Sequence, residues 1–525
     1  MAESPGRKIA VAVGRALRRA LVWLAHRVRG EVVELVGGPA RARVIVLFAA
    51  VLALSGADAA TVGAVAPSLE HSLHIGDAKI GLLSSVALLV GALFTIPVGF
   101  LVDRFKRMPM LSASILLWSL SSLLGAFAGS YGDLLLSRLA LGAVTATAGP
   151  AIASLTGDYF PAQERGRVYA YILGGETAGT AAGFIVSGTA GNLITWRAAF
   201  VLLAIPGFFL ARTLWRTVPE PLRGGQSHLE PGALTLTEVR PAPPAEPEAA
   251  APAPADDLAR AEAARRGIQP DPDLVLTEDP RTMPLARAVM YTFKVPTNLM
   301  LTFGSALGYF YFAGLQTFAL LFVRGHYHVD LVTSELGLGL LVAGALAGTL
   351  VSGHLTDRML KRGYLQARMV VPAACYLGAV VMFIPGILGT HLTPALWFDV
   401  AGAALVSAAN PPLQAARLDI MPALLWGRAE SARTFVRSVV QAAAPLAFGG
   451  IAVLVAGFAP RQAPIGTHPG HVSSNTATGL EVGFLIMLVA LAAAGYLLIR
   501  ARRTYAVDVV TAAASEEAAA SRSRD

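Results

Sequence analysis

Residues 99–110 read GFLVDRFKRMPM, and residues 353–364 read GHLTDRMLKRGY. Both fit G-x-x-x-D-R-x-x-[KR], and both follow a long apolar run. A second pair repeats as well: DYFPAQERGR at 158–167 and DIMPALLWGR at 419–428 both fit D-x-x-P-A-x-x-x-G-R. The first pair is 254 residues apart and the second 261. Two motif pairs in the same order at nearly the same spacing mark a duplication. Each half carries the same charged turns at the edge of an apolar layer.

That layer is a membrane. Of the 525 residues, 54% are hydrophobic and only 14% charged, with a mean hydropathy of +0.58. Soluble domains are about 25% charged. Apolar runs of about 20 residues, enough to cross ~30 Å of hydrocarbon as helix, recur along the chain. They fall at about 44–67, 79–101, 110–130, 133–156, 168–190 and 197–217, then at 296–322, 333–356, 367–389, 393–418, 433–457 and 479–499. The expected fold is therefore an all-α integral membrane protein of twelve transmembrane helices in two pseudo-symmetric six-helix bundles, 44–219 and 291–500. Between them, 220–290 includes EVRPAPPAEPEAAAPAPADD, rich in Pro, Ala and acid. Such composition buries too little apolar surface to fold alone and reads as a flexible linker.

Lys and Arg set the orientation. With both termini inside, the inner loops hold Arg104, Lys106, Arg107, Arg165, Arg167, Arg358, Lys361, Arg362 and Arg428, while the outer ones hold little beyond Lys79, Arg197, Arg324 and Arg461. Residues 501–525 form an inner tail. Segment 1–43 is basic and amphipathic, with Arg15, Arg18, Arg19 and Arg29 at near-helical spacing, which suits a helix lying on anionic lipid. The outer loops collect His71, His74, His326, His328, His391, His468 and His471, without the compact acid-bearing pattern of a metal site. The single cysteine, Cys375, lies in an apolar run and excludes an internal disulfide. No cofactor is implied. The +8 net charge is positive-inside bias and points to no nucleic acid.

The repeated turns have a physical task. Gly99 and Gly353 allow a helix end to approach a neighbour closely. Asp103 and Asp357 suit the positive end of a helix from the other half. Pseudo-symmetry sends Asp103 to the start of the eleventh span, near Arg433 or Arg437, and Asp357 to the start of the fifth, near Arg165 or Arg167. Such contacts close the inner side and break when it opens.

With those motifs in both halves, the chain resembles the major facilitator superfamily over about 44–218 and 290–500. The resemblance implies two bundles that rock around a central site. DAATVGAVAP (58–67), GDYFPAQERGR (157–167) and NPPLQ (410–414) resemble the Spinster-like branch, which carries lysophospholipids and sphingolipids. The chain departs from that branch at Ala59, where an Arg is usual, and at Thr145, where a Glu is usual.

Ionisable groups at membrane depth are functional candidates. Asp58 and Arg138 both fall ~9 Å below the outer surface at ~1.5 Å per residue, so they can pair or share a wet cavity. Glu176 falls near mid-membrane in GGETAGTAAG, whose Gly175, Gly179 and Gly183 read as a packing face. Tyr309, Gln316, Asn410, Gln414 and Gln441 are candidates to line a central cavity, and Arg417 and Asp419 look like boundary residues. The leading expectation is a proton-coupled exporter of an amphipathic or lipid-like solute, working as a monomer in a bacterial inner membrane. A multidrug–proton antiporter is the alternative in the same class, and a non-transporting scaffold or sensor the alternative outside it. No Walker, H-E-x-x-H or G-x-S-x-G motif supports an enzyme.

Overall fold

The computed structural model describes residues 33, 36–75, 77–223, 227–236, 240–241, 258–280, 282–329, 331–458 and 474–522. The basic segment expected to lie on lipid, up to residue 32, is outside them. The described chain is almost wholly helical. Its strands are one two-residue antiparallel pair, Ser227–His228 with Arg240–Pro241.

The first half contains α1 (Pro39–Ala64), a short α2 (Ala66–Leu73), α3 (Asp77–Arg104), α4 (Arg107–Ala126), α5 (Tyr131–Thr145), α6 (Ala148–Tyr159), α7 (Arg165–Leu193) and α8 (Trp196–Thr217). After α9 (Leu258–Arg265) and α10 (Leu285–Lys294) come α11 (Pro296–Tyr327), α12 (Leu331–Lys361), α13 (Ala367–Leu388), α14 (Leu392–Ala408), α15 (Asn410–Ile420), α16 (Trp426–Phe458), α17 (Ser474–Ala501) and α18 (Tyr505–Arg522). Pairing α5 with α6 and α14 with α15 gives six crossings in each half. Both of these spans break at equivalent places. Pro150 and Pro411 lie 261 residues apart, each just beyond its break, and proline cannot donate the helical hydrogen bond four residues back.

Eleven spans among the described residues are long and apolar enough to cross a membrane. The twelfth crossing, α7, falls short on hydropathy because glycine and threonine replace its aliphatics. Its glycines serve packing. A Cβ on Gly175, Gly179 or Gly183 would overlap Ala49, Ala53 or Ala57 of α1, themselves four residues apart. Small residues on both helices let two backbones touch, as the sequence pattern predicts.

Part of the expected flexible linker is docked. α9 and the strand-free stretch after it pack on α18: Arg260 pairs with Glu516 at 2.6 Å, and the Asp271 and Leu276 amides donate to Thr511 and Ser515. α18 is itself anchored, with Tyr505 donating to Asp419 at 2.6 Å and Asp508 accepting from the Thr297 amide at 2.8 Å. Composition misleads here because α18 supplies an alanine-rich face and partners that the linker lacks by itself. The linker, α18 and the start of α1 all meet one end of the bundles, called here the linker face.

Candidate functional site: a doubled gate and a buried charge set

The repeated turns end α3 and α12 at the linker face. Asp103 accepts from the Gly427 amide at 2.9 Å, the Arg428 amide at 3.0 Å and Arg428 Nε at 3.0 Å. Asp357 accepts from the Arg167 amide at 2.7 Å and lies against Gly166. Each carboxylate thus sits on the first turn of a helix from the other half, where free amides and the helix dipole favour negative charge. A Cβ on Gly99 would overlap Ser431, and one on Gly353 would overlap the Gly166 carbonyl. Only glycine permits either approach.

The arginine partners of Asp103 differ from those expected. Arg428 takes the role foreseen for Arg433 or Arg437, because the carboxylate reaches only the first residues of α16. Arg433 and Arg437 lie one and two turns deeper. On the other side, Arg167 contributes its amide and Arg165 its packing. Arg165 is buried, donates to the Gly157 carbonyl at 2.9 Å and lies over the Trp426 ring, 5.0 Å from its centroid. The basic residues of the turns divide. Arg104, Arg358 and Lys361 are exposed, whereas Arg107 is buried and binds Asp158, Ser154 (2.8 Å) and Glu220 (2.8 Å).

Arg107 and Asp158 have a second-half copy that the turn motif conceals. Adding 261 to each number gives Arg368 and Asp419, which form the same buried pair. Arg368 also donates to the Ala162 carbonyl across the halves. The turn motif had matched Arg107 to Lys361, but Arg368 lies seven residues further past Asp357 than Arg107 lies past Asp103. Asp419 is a correction: it is no boundary residue, but a fully buried acid bound by Arg368, Tyr505 and, at 3.6 Å, Arg165.

Arg417 is a correction of the same kind. It is buried, and its guanidinium binds Glu430 and Gln414 (2.6 Å). Arg433 holds the same carboxylate through two nitrogens and Ser305 through a third at 3.3 Å. Glu430, absent from the sequence expectations, is therefore clamped by two arginines. With Gln414, Tyr169 and Leu52 it lines a small cavity between the halves. Further from the linker face, Arg437 lies over the Tyr309 ring, 4.6 Å from its centroid. Glu176 of α7 has Arg437 and Arg433 as the cations acting on its carboxylate. Glu176 and Arg437 occupy equivalent positions of the repeat, 261 apart. Asn410 and Gln441 are half-exposed and Gln316 is exposed.

Asp58 and Arg138 do pair. Arg138 Nη1 donates to both carboxylate oxygens, at 3.1 and 3.3 Å, with both residues buried. The guanidinium stacks 4.8 Å over Phe200, and among the described residues its Nε and Nη2 have no hydrogen-bond partner. A bound charge with two idle donors is open to exchange of its partner.

The family model of the major facilitator superfamily matches residues 47–445. The chain belongs to that superfamily. Curated relatives include named transporters, and the fold is that of a multi-pass membrane transporter, not an enzyme. An uncharacterized transporter of Bacillus subtilis is 25% identical over 374 residues, 70% of this chain and 76% of the relative. The 4-hydroxybenzoate transporter of Pseudomonas aeruginosa is 29% identical over 185 residues, 35% of this chain and 41% of its own. The spinster homolog 1 of Xenopus tropicalis is 30% identical over 203 residues, 37% of each chain. Among solved structures, a bacterial homolog of the human lysosomal transporter Spinster, inward-facing and unoccupied, shares the fold with a TM-score of 0.54. It is 22% identical, covering 90% of this chain and 98% of that one. The proton:xylose symporter XylE gives a TM-score of 0.59 at 14% identity, covering 87% and 94%.

Proposed function

We propose that this chain is a secondary active transporter that exports a small amphipathic solute by alternating access in exchange for protons. The observation that carries the reading is the buried Asp58–Arg138 pair with idle guanidinium donors. A proton on Asp58 releases Arg138, and a solute that takes the Asp58 carboxylate must displace that proton, so protons and solute compete for one acid. Glu176 is the second coupling acid, facing Arg437 across the halves. The turns at Asp103 and Asp357 are the gates of the linker face, closed in this state. We read the linker face as cytoplasmic, because exposed Arg104, Lys106, Arg358, Lys361 and Arg362 gather there. Both termini then lie inside, and the setting is a bacterial plasma membrane, with the chain working as a monomer.

A second reading concerns the solute's charge. Arg437 is held by an aromatic face and has no carboxylate within ion-pair distance among the described residues. That favours a solute with an anionic group, and a relative named for 4-hydroxybenzoate agrees. The test is proton-driven flux in proteoliposomes, comparing lysophospholipids, 4-hydroxybenzoate and cationic dyes. Asp58→Asn and Glu176→Gln are run beside the parent. Flux of either of the first two that falls at least tenfold in Asp58→Asn supports the proposal. Dye flux alone transfers the chain to drug efflux. No flux from folded protein under a verified gradient removes proton-driven transport of these solutes.

A further inference from the structure

Asp399 has no part in the gates or the central charge set. It lies seven residues into α14, about 10 Å along the helix, on the side away from the linker face. It borders a cavity inside the second bundle whose other walls include Tyr311, Phe322, Leu341, Phe383 and Phe484. The rings around it form one contiguous stack. Tyr311 meets Phe383 at 5.2 Å and Phe484 at 6.4 Å between centroids, and Phe322 meets Phe484 at 5.4 Å. Among the described residues Asp399 has neither a hydrogen bond nor an ion pair. Tyr311 is fully buried, and among the described residues its hydroxyl also lacks a partner. The cavity has room for roughly one water molecule.

The carboxyl is placed deliberately against backbone. A Cβ on Gly386 of α13 would overlap Asp399 Oδ1. The Gly386 carbonyl is already taken by the Tyr327 hydroxyl at 2.5 Å. Among the described residues no cation lies within ion-pair distance of the acid. α11 contributes Tyr311 and Tyr327. The walls from α12 (Gly337, Leu338) and α13 (Phe383, Ile387) carry no titratable group. α17 contributes Phe484 and, beyond it, Glu481, which faces His326 of α11 at 3.4 Å. A carboxylate in hydrocarbon is retained only when it is paired, wetted or neutralised. Pairing is absent among the described residues, and the enclosed space seats little more than one water.

We infer that Asp399 is a proton-binding site inside the second bundle, separate from Asp58 and Glu176. Its proton is exchanged through the cavity with water on the face opposite the linker. The protonated carboxyl donates, and the Tyr311 hydroxyl, directly or through one water, completes the network. The inference goes beyond the transport proposal and does not rest on it.

The test is pH-step infrared difference spectroscopy on the full-length purified protein in lipid nanodiscs, in H2O and D2O. The parent is expected to show a protonated-carboxyl C=O band at neutral pH that shifts down in D2O. The band is lost in Asp399→Asn and kept in Asp58→Asn and Glu176→Gln. Tyr311→Phe shifts its frequency without removing it. Should Asp399→Asn fail to fold, Gly386→Ala serves, because it displaces the carboxyl and must move the band. A band of unchanged intensity in Asp399→Asn overturns the inference. So does an unmoved band in folded Gly386→Ala, or a folded parent with no such band at neutral pH.

Discussion

The two proposed gates are built from the same motif, and their contacts are not equally many. At the first, Asp103 holds two amides and the Arg428 side chain. At the second, Asp357 accepts from the Arg167 amide, with Arg368 at 3.9 Å and committed to Asp419. Arg167 is the repeat partner of Arg428, yet its side chain turns to Glu164 at 3.5 Å. The residue equivalent to Glu164 in the second half is Leu425. Arg428 therefore has no local acid to distract it, and it is steadied further by the Pro280 carbonyl of the linker at 2.9 Å. We propose that this one difference between repeats, acid for leucine, sets where the arginine points and which gate is the firmer. It also ties the firm gate to the linker.

Four experiments break or sharpen this comparison. Their readout is the labelling rate of a cysteine placed at Leu173, near the small cavity between the halves, in a Cys375→Ala background. The largest effect is expected from Asp103→Ala. It removes three hydrogen bonds and strands Arg428, so the closed state should lose about 3–5 kcal/mol and labelling should rise more than tenfold. Asp357→Ala comes next, at about 1–2 kcal/mol, since Arg368 keeps its own acid. Equal effects from the two would refute the asymmetry.

Double-mutant cycles come third. Asp103→Asn with Arg428→Ala should couple by ~1–3 kcal/mol, and Asp357→Asn with Arg167→Ala by under ~0.5 kcal/mol. The second pair meets through a backbone amide that alanine retains. The smallest effects belong to Arg104→Gln, Arg358→Gln and Lys361→Gln. These side chains are exposed, and each change should stay within about 0.5 kcal/mol. A large loss at any of them would restore the whole basic motif to the gate.

Much of this was legible in the sequence. The duplication announced two bundles, the glycine spacing of α7 announced a packing face without its partner, and equal depth allowed either an Asp58–Arg138 pair or a shared wet cavity. Other parts were hidden for definite reasons. Arg428 was passed over for Arg433 and Arg437 because span limits place a helix start only to within a turn, while a carboxylate reaches only the first amides. Arg368 was hidden by that seven-residue offset, though the 261 spacing of Asp158 and Asp419 pointed to it. Arg417 and Asp419 looked peripheral, and Glu430 was passed over, because depth in a membrane is readable along the chain, whereas burial at the junction of two halves is not. The docked linker was illegible because its partners lie some 250 residues further on, in α18.

The central claim is that the paired aspartates hold the linker face shut. The direct test is the distance between spin labels at Arg104 and Arg362, exposed residues near the ends of α3 and α12, measured in lipid nanodiscs. The account predicts one dominant short distance in the parent. It predicts a shift to a longer population in Asp103→Ala that grows in Asp103→Ala/Asp357→Ala. A distribution unchanged by the double substitution would contradict it.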